Sequence, residues 1–415
     1  MLGSPIPVVL TMPGRPAEFH LNVGAGASQI EAHRKVACRA AIGLSRRMTD
    51  PRYTPLALSL PATVPFVGPE TQERQRGAPF VARLGANESI FGPSPRAIEA
   101  MAAAEIWKYG DPENHDLRHA LAKHHDVKPE NVVVGEGIDG LLGYLVRLLV
   151  GTGDAVVTSD GAYPTFNYHV AGFGGVLHKV PYRDDHEDPA ALFAKAAEVD
   201  AKLVYLANPD NPMGSWHRGT DIVEAMEILP EGCLLVLDEA YVECAPEGTA
   251  APVAVDDPRL IRMRTFSKVY GMAGARVGYA LGAPGLIAAF NKVRNHFGMN
   301  RAAQAGALAA LQDCEWLSQV QAKIDAARDR IGQIARDNGL EPLPSAANFV
   351  AIDCGRGSTF AKAVLDALVA QGIFVRMPFA APQNRCIRVS CGTAADLDAF
   401  ATALPKALAA AEGSA

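Results

Sequence analysis

Between residues 131 and 282, short apolar runs alternate with helix-like stretches, and no other feature of the chain restricts its fold as much. The run NVVV from Asn131 reads as a β-branched strand, and DGLLGYLVRLLV after it carries apolar residues at helical spacing. AVVTS, KLVYLANP, CLLVLDEAY, LIRMRTFSK and ARVGYALG read as further strands, with helical stretches such as TDIVEAMEIL between several of them. Strands joined through helices require right-handed crossovers, so the expected fold class is α/β. Its large domain carries a mainly parallel sheet covered by helices on both faces. From about Ala302 the texture shifts to alanine-rich helices, then NFVAID, a helix from Phe360 to Gln371, and CIRVSCGT. That part reads as a smaller α+β domain.

At 415 residues the chain is too long for one simple core. The expected division is a large domain over 86–300 and a small one over 301–415, with 48–85 an arm belonging to the small domain. Residues 51–79, rich in proline and polar side chains, read as extended. Residues 1–47 carry Arg15, Arg34, Lys35, Arg39, Arg46 and Arg47 against only Glu18 and Glu31. Their apolar patch is short and no positive segment precedes it, which argues against a secretory signal. A transit peptide is compatible with this composition. The preferred reading is a non-native extension ahead of a start at Met48.

A formal charge of −6 offers no basic field for nucleic acid. No run approaches the roughly 20 apolar residues of a membrane helix. The seven cysteines (Cys38, Cys233, Cys244, Cys314, Cys354, Cys386 and Cys391) contain no C-x-x-C pair, so neither a disulfide framework nor a zinc site is indicated. A reducing cytoplasm is the expected compartment.

In sheets of this kind the loops at the carboxyl ends of the strands carry the ligand. After NVVV comes GEGIDG, Gly135 to Gly140, whose free N–H groups at a helix start suit a phosphate. The motif also matches a dinucleotide turn, with Asp160 about 20 residues later, and an empty glycine-rich turn is as good a reading. NPDNPMG follows the strand LVYLA and places Asn211 in a proline-fixed turn, where a plain turn is the ordinary alternative. DEAY puts Asp238 at the end of a buried strand, where a carboxylate needs a cation or a proton-bearing ring nitrogen. A capping role is the alternative there. Tyr241 stands three residues on. Lys268 then follows an apolar run, flanked by Ser267 and Arg276, which suit an oxyanion. A lysine amine forms Schiff bases with carbonyls. Anion donors, such a lysine, a buried carboxylate and a phenol at successive strand ends have one common explanation, the cofactor pyridoxal 5′-phosphate.

The motifs ANESIFGPSP, YGDPENHDLR, VVVGEGIDGLL, NPDNPMGS, VLDEAY, TFSKVYGMAGARVGY, NFV and IRVSCGT, in this order, carry a resemblance. From about Leu84 to Thr393 the chain resembles the fold-type-I pyridoxal-phosphate aminotransferases of class I/II. Within them it is most similar to the histidinol-phosphate aminotransferase family. The resemblance implies that Lys268 carries the cofactor and moves the substrate proton, and that Asp238 keeps the pyridine nitrogen protonated. It implies that Asn211 and Tyr241 bond the ring oxygen, and that Tyr163 stacks on the ring. Backbone at Glu136 and Gly137, with Ser267 and Arg276, is implied to hold the phosphate. Tyr109 is implied to reach the neighbouring subunit's phosphate, hence a homodimer with shared active sites. Arg388 matches the arginine that clamps the substrate carboxylate, with Asn348 beside it, and Arg376 matches one that binds a distal phosphate.

Two departures stand out, the first at the substrate site and the second at the cofactor's phosphate turn. Phe91 stands where the family has a tyrosine of the distal phosphate site, and Glu136 and Ile138 replace the usual Asn and Ser of the phosphate turn. A carboxylate beside a phosphate is unfavourable, so Glu136 is expected to point away and act through its backbone. The expected reaction is a ping-pong amino transfer to a 2-oxo acid such as 2-oxoglutarate, the donor being histidinol phosphate or, next, an aromatic amino acid. A decarboxylase of the threonine-phosphate type shares the framework. An NAD-dependent dehydrogenase leaves Lys268, Arg276 and the two strand-end motifs unexplained.

Overall fold

The computed structural model describes residues 51–62 and 66–413, so the expectation for residues 1–47 lies outside the described residues. The chain divides into two compact units at Leu58, and the second of them, Ser59–Ala415, holds the strands and the cleft. Its strands are β1 (Ala82–Arg83), β2 (Val132–Gly135), β3 (Ala155–Ser159), β4 (Val176–Val180), β5 (Leu203–Ala207), β6 (Leu234–Asp238), β7 (Leu260–Thr265), β8 (Gly278–Gly282), β9 (Glu341–Pro342), β10 (Phe349–Asp353), β11 (Ile373–Phe374) and β12 (Cys386–Ser390).

Seven strands form one sheet in the order β2-β8-β7-β6-β5-β3-β4. The pairs from β4 through β7 are parallel, while β8 runs antiparallel to both its neighbours. That reversal leaves β2 pointing the same way as β7. The carboxyl ends of β2, β3, β5, β6 and β7 therefore share one edge of the sheet. Strands β5 and β6 are buried along their whole length, which explains their nearly unbroken apolar sequence. Alternate side chains serve opposite faces. Val156, Tyr205 and Val236 pack with the helix Gly137–Leu149, whereas Val157, Val204 and Leu235 pack with Leu192, Phe193 and Ile222.

A three-stranded antiparallel sheet, β12-β10-β9, is covered by the helices Cys314–Asp337, Gly357–Ala370 and Ala394–Glu412 through one apolar cluster. Strand β1 pairs in parallel with β11. The stretch expected to be extended instead contains a helix, Pro69–Arg76. Proline at its first position suits a helix start, Glu70 and Arg74/Arg76 complement its dipole, and Gly77 closes it at φ +72°. Strand β4 was not legible as one, because it is an edge strand whose lysine and histidine interrupt the apolar pattern.

Candidate active site

A cleft of about 1000 Å³ opens along the shared strand edge. Each strand end contributes to its wall, and each contribution has a local cause.

At the end of β2 the chain turns into the helix Gly137–Leu149. Gly137 has φ +78°, which strains any other residue, and a Cβ there would lie 2.3 Å from Arg276 Nη2 and displace the guanidinium. Arg276 itself takes a left-handed backbone, φ 56°, which folds its side chain back toward this turn. Its Nη1 donates to Ser267 Oγ (3.3 Å), and Nη2 lies 3.6 Å from Asp139 Oδ2. Helix start, hydroxyl and guanidinium thus make an anion cup. Glu136 turns its carboxylate out of it, accepting a hydrogen bond from the Tyr144 hydroxyl at 3.0 Å.

Asp238 ends β6 and is 5 % exposed. Its Oδ2 accepts from the Tyr205 hydroxyl (2.6 Å) and Oδ1 from the Ala240 N–H (2.9 Å). Among the described residues no cation bonds it. Burial pushes its carboxyl up to about 6, although those two bonds pull the other way. A buried carboxylate whose partners are all neutral is expensive, and it lines the cleft with an open demand for a positively charged N–H.

Lys268 enters the same cleft three residues after β7. Its Nζ donates to the Asn87 carbonyl (3.2 Å) and lies 5.3 Å from the centre of the Tyr241 ring. The Tyr241 hydroxyl accepts from Asn87 Nδ2 at 3.1 Å. No carboxylate holds the amine among its described hydrogen bonds. Tyr163 stands at the start of the helix Pro164–Gly172 and donates its hydroxyl to Asp139 Oδ1 (3.0 Å). Burial and that carboxylate hold the phenol well above the usual range.

Arg388, on β12, closes the cleft from the smaller sheet. It donates to Asn211 Oδ1 and, through Nη2, to the Gly85 carbonyl (3.2 Å), while its buried Nε has no partner among the described residues. Burial lowers its pKa, as expected of a guanidinium without a counter-ion. Arg376 pairs with Arg388 across an isolated antiparallel bridge, lines the cleft, and donates to the Val67 carbonyl at 2.6 Å. Asn348 is buried beside them with Nδ2 on the Asn87 carbonyl (3.1 Å).

Phe91 and Tyr109, both expected at the site, lie off this wall. Phe91 packs against the core of the smaller sheet, with Lys323 Nζ 6.0 Å above its ring, so it adds no apolar surface to the cleft. Tyr109 is exposed and packs tilted against Phe297, ring centres 4.9 Å apart. Sequence reasoning missed Asn87, Tyr205 and Asp139. Tyr205 carried a signal, a lone hydroxyl inside an apolar strand beside that of Asp238; Asn87 stands inside the ANESIFGPSP motif, which gave it no role.

The family model for aminotransferase class I and II matches residues 81–404. The chain belongs to that family. This aminotransferase is 34 % identical over 346 residues to histidinol-phosphate aminotransferase 1 of Mesorhizobium japonicum, covering 81 % of this chain and 94 % of that one. It is 33 % identical over 367 residues to the histidinol-phosphate aminotransferase of Moorella thermoacetica, with 87 % and 94 % covered. A crystal structure of histidinol-phosphate aminotransferase from Sinorhizobium meliloti, in complex with pyridoxal-5′-phosphate, superposes with a TM-score of 0.84. The two are 55 % identical, covering 87 % of this chain and 98 % of that one. The aminotransferase has the fold expected, and the dehydrogenase reading falls away. Asp160, which that reading needed for a ribose, pairs on the surface with Lys179 at 3.1 Å.

Proposed function

We propose that this aminotransferase binds pyridoxal 5′-phosphate in the cleft and moves an amino group from histidinol phosphate, or next from an aromatic amino acid, to a 2-oxo acid. The observation that carries the reading is Asp238, a buried carboxylate with only neutral partners, facing the same cleft as the Lys268 amine. The residues fit the group. Gly137, the Glu136 backbone, Ser267 and Arg276 would hold its phosphate, Tyr163 would cover the ring, and Asn211 and Tyr241 would meet the ring oxygen. When bound, the ring supplies an electron sink for the charge left on the substrate Cα. Asp238 would keep the ring nitrogen protonated and so sustain that sink. Lys268 would hold the cofactor and, once freed, would take and return the Cα proton. Arg388 takes the substrate carboxylate in its fork and fixes which Cα bond is broken. Arg376 lines the same cleft and would take a distal phosphate or second carboxylate. A titration of the holoenzyme with histidinol phosphate, phenylalanine, tyrosine, glutamate and threonine phosphate tests this. The visible cofactor band is expected to collapse with histidinol phosphate first. Release of carbon dioxide from threonine phosphate would favour the decarboxylase instead.

The working unit in this reading is a homodimer. Ile106, Trp107, Tyr109 and Phe297 are 56–79 % exposed, a concentration of large apolar side chains that an isolated soluble chain rarely displays. A second copy is the natural cover, and it would bring Tyr109 to the partner's phosphate. Replacing Trp107 with glutamate is expected to weaken association by about 2 kcal/mol or more, read by sedimentation. Unchanged sedimentation with full activity would remove this face from the interface.

A further inference from the structure

Two carboxyl groups that the reaction does not use lie behind the cleft wall. Glu187 and Asp210 are each 1 % exposed. Glu187 Oε2 accepts from the Ser159 hydroxyl (2.6 Å) at the end of β3, and Oε1 from the Ala207 N–H (3.0 Å) at the end of β5. Asp210 Oδ1 accepts from the Tyr182 hydroxyl (2.8 Å) and Oδ2 from the Met213 N–H (2.9 Å). All four partners are neutral, and the two carboxyls lie within hydrogen-bond reach of each other. Two such groups in a dry site do not both ionise.

We propose that Glu187 and Asp210 share one proton, and that this proton locks the turn of residues 208–214 so that Asn211 faces Arg388. The turn is built around Asp210. Its N–H donates to the Ser215 carbonyl (2.9 Å), and its carbonyl accepts from the Gly214 N–H (3.1 Å). The next residue, Asn211, accepts the Arg388 bond. The strand ends held by Glu187 frame the same turn, so the shared proton ties β3, β5 and Asn211 into one unit. Glu187 and Asp210 are positioning residues; neither lines the cleft.

Burial is the main force raising both carboxyls above the usual range. The charged or titratable groups facing the pair are His186, which opposes the rise at Asp210, Tyr182 and Tyr205, and His217, whose Nε2 meets the Glu187 carbonyl at 2.7 Å. Arg388 also senses the charge on Asp210. The sign follows from a raised folded-state pKa. The stability the proton confers is complete below the ordinary carboxylate range and is lost as pH rises through the raised value. Above it, two charges share one dry site and the Asn211 turn loosens.

This inference rests on Arg388 as the carboxylate clamp, and the experiment separates the two. Holoenzyme is compared with Glu187→Gln, whose amide replaces the shared proton, and with Glu187→Ala. The thermal midpoint and the Kd for 3-phenylpropionate, a carboxylate with no amine, are followed from about pH 5 to about pH 9. In the parent protein the midpoint is expected to fall and the Kd to rise about tenfold toward alkaline pH, as when proton affinity differs about tenfold between the free and the bound protein. Glu187→Gln is expected to flatten both profiles, and Glu187→Ala to bind weakly throughout. Parallel midpoint profiles for the parent and Glu187→Gln overturn the shared proton. A falling midpoint with constant Kd overturns its link to Asn211. Absence of binding to the parent at every pH overturns the Arg388 clamp and that link together, and the midpoints still decide the proton.

Discussion

Replacing Lys268 with alanine is expected to lower kcat by at least about 10³-fold and to remove the visible absorbance of the bound cofactor. Two losses combine. In the proposed reading the cofactor's covalent attachment goes, and with it the amine that would move a proton at the substrate Cα. The fold should survive, because the Nζ contacts a single carbonyl, that of Asn87, and the face of the Tyr241 ring. A circular dichroism spectrum beside the absorbance scan separates loss of chemistry from loss of structure. Retention of parent-like turnover in this variant would overturn the role given to Lys268. Retention of the absorbance alone would place the attachment elsewhere.

The second large effect is expected at Arg388. Its guanidinium is buried and, among the described residues, bonded only to the Asn211 and Gly85 oxygens, with Nε unpaired. A fork held ready in this way gains most when a carboxylate enters. Arg388→Ala is expected to weaken both the amino donor and the 2-oxo acid acceptor about 100-fold, within the range for removing one partner of a buried charge pair. Arg388→Lys is expected to recover only part, since an ammonium is a point charge without the planar fork. KM and Kd for both substrates measure this. If neither moves, the carboxylate is held elsewhere and Arg376 becomes the first group to test.

What could be read beforehand divides along a physical line. The residues that begin where an apolar run stops were legible, because a strand's end in a parallel sheet points to the cleft whatever surrounds it. Asp238, Lys268 and the Gly137 turn are of this kind. Asn87 stood in a legible motif, but its role was not legible. It matters because its carbonyl and amide gather Lys268, Tyr241 and Asn348, residues 154 to 261 positions away along the chain, and no local pattern encodes such a meeting. Phe91 shows the converse. Its place in a familiar motif pointed to the substrate, yet Lys323 and the apolar cluster beneath give the ring another home. The helix Pro69–Arg76 was hidden by composition. Proline counted over a window signals extended chain, whereas proline at a first helical position signals the opposite.

The Asn87–Ser390 contact has a bearing on how the protein comes to be made. Asn87 Oδ1 accepts from the Ser390 hydroxyl at 2.9 Å, and the Asn87 N–H donates to the same oxygen at 3.0 Å, across 303 positions of sequence. On a ribosome, the first of these residues waits for nearly the whole chain to emerge before it meets the second. Until then the Asn87 loop lacks this clasp, and Arg388 has not yet been synthesised. A nascent chain therefore holds the residues assigned to the cofactor within this subunit, from Glu136 to Arg276, before it holds the guanidinium proposed to receive the substrate carboxylate. The cofactor's seat is made first and the substrate's clamp last.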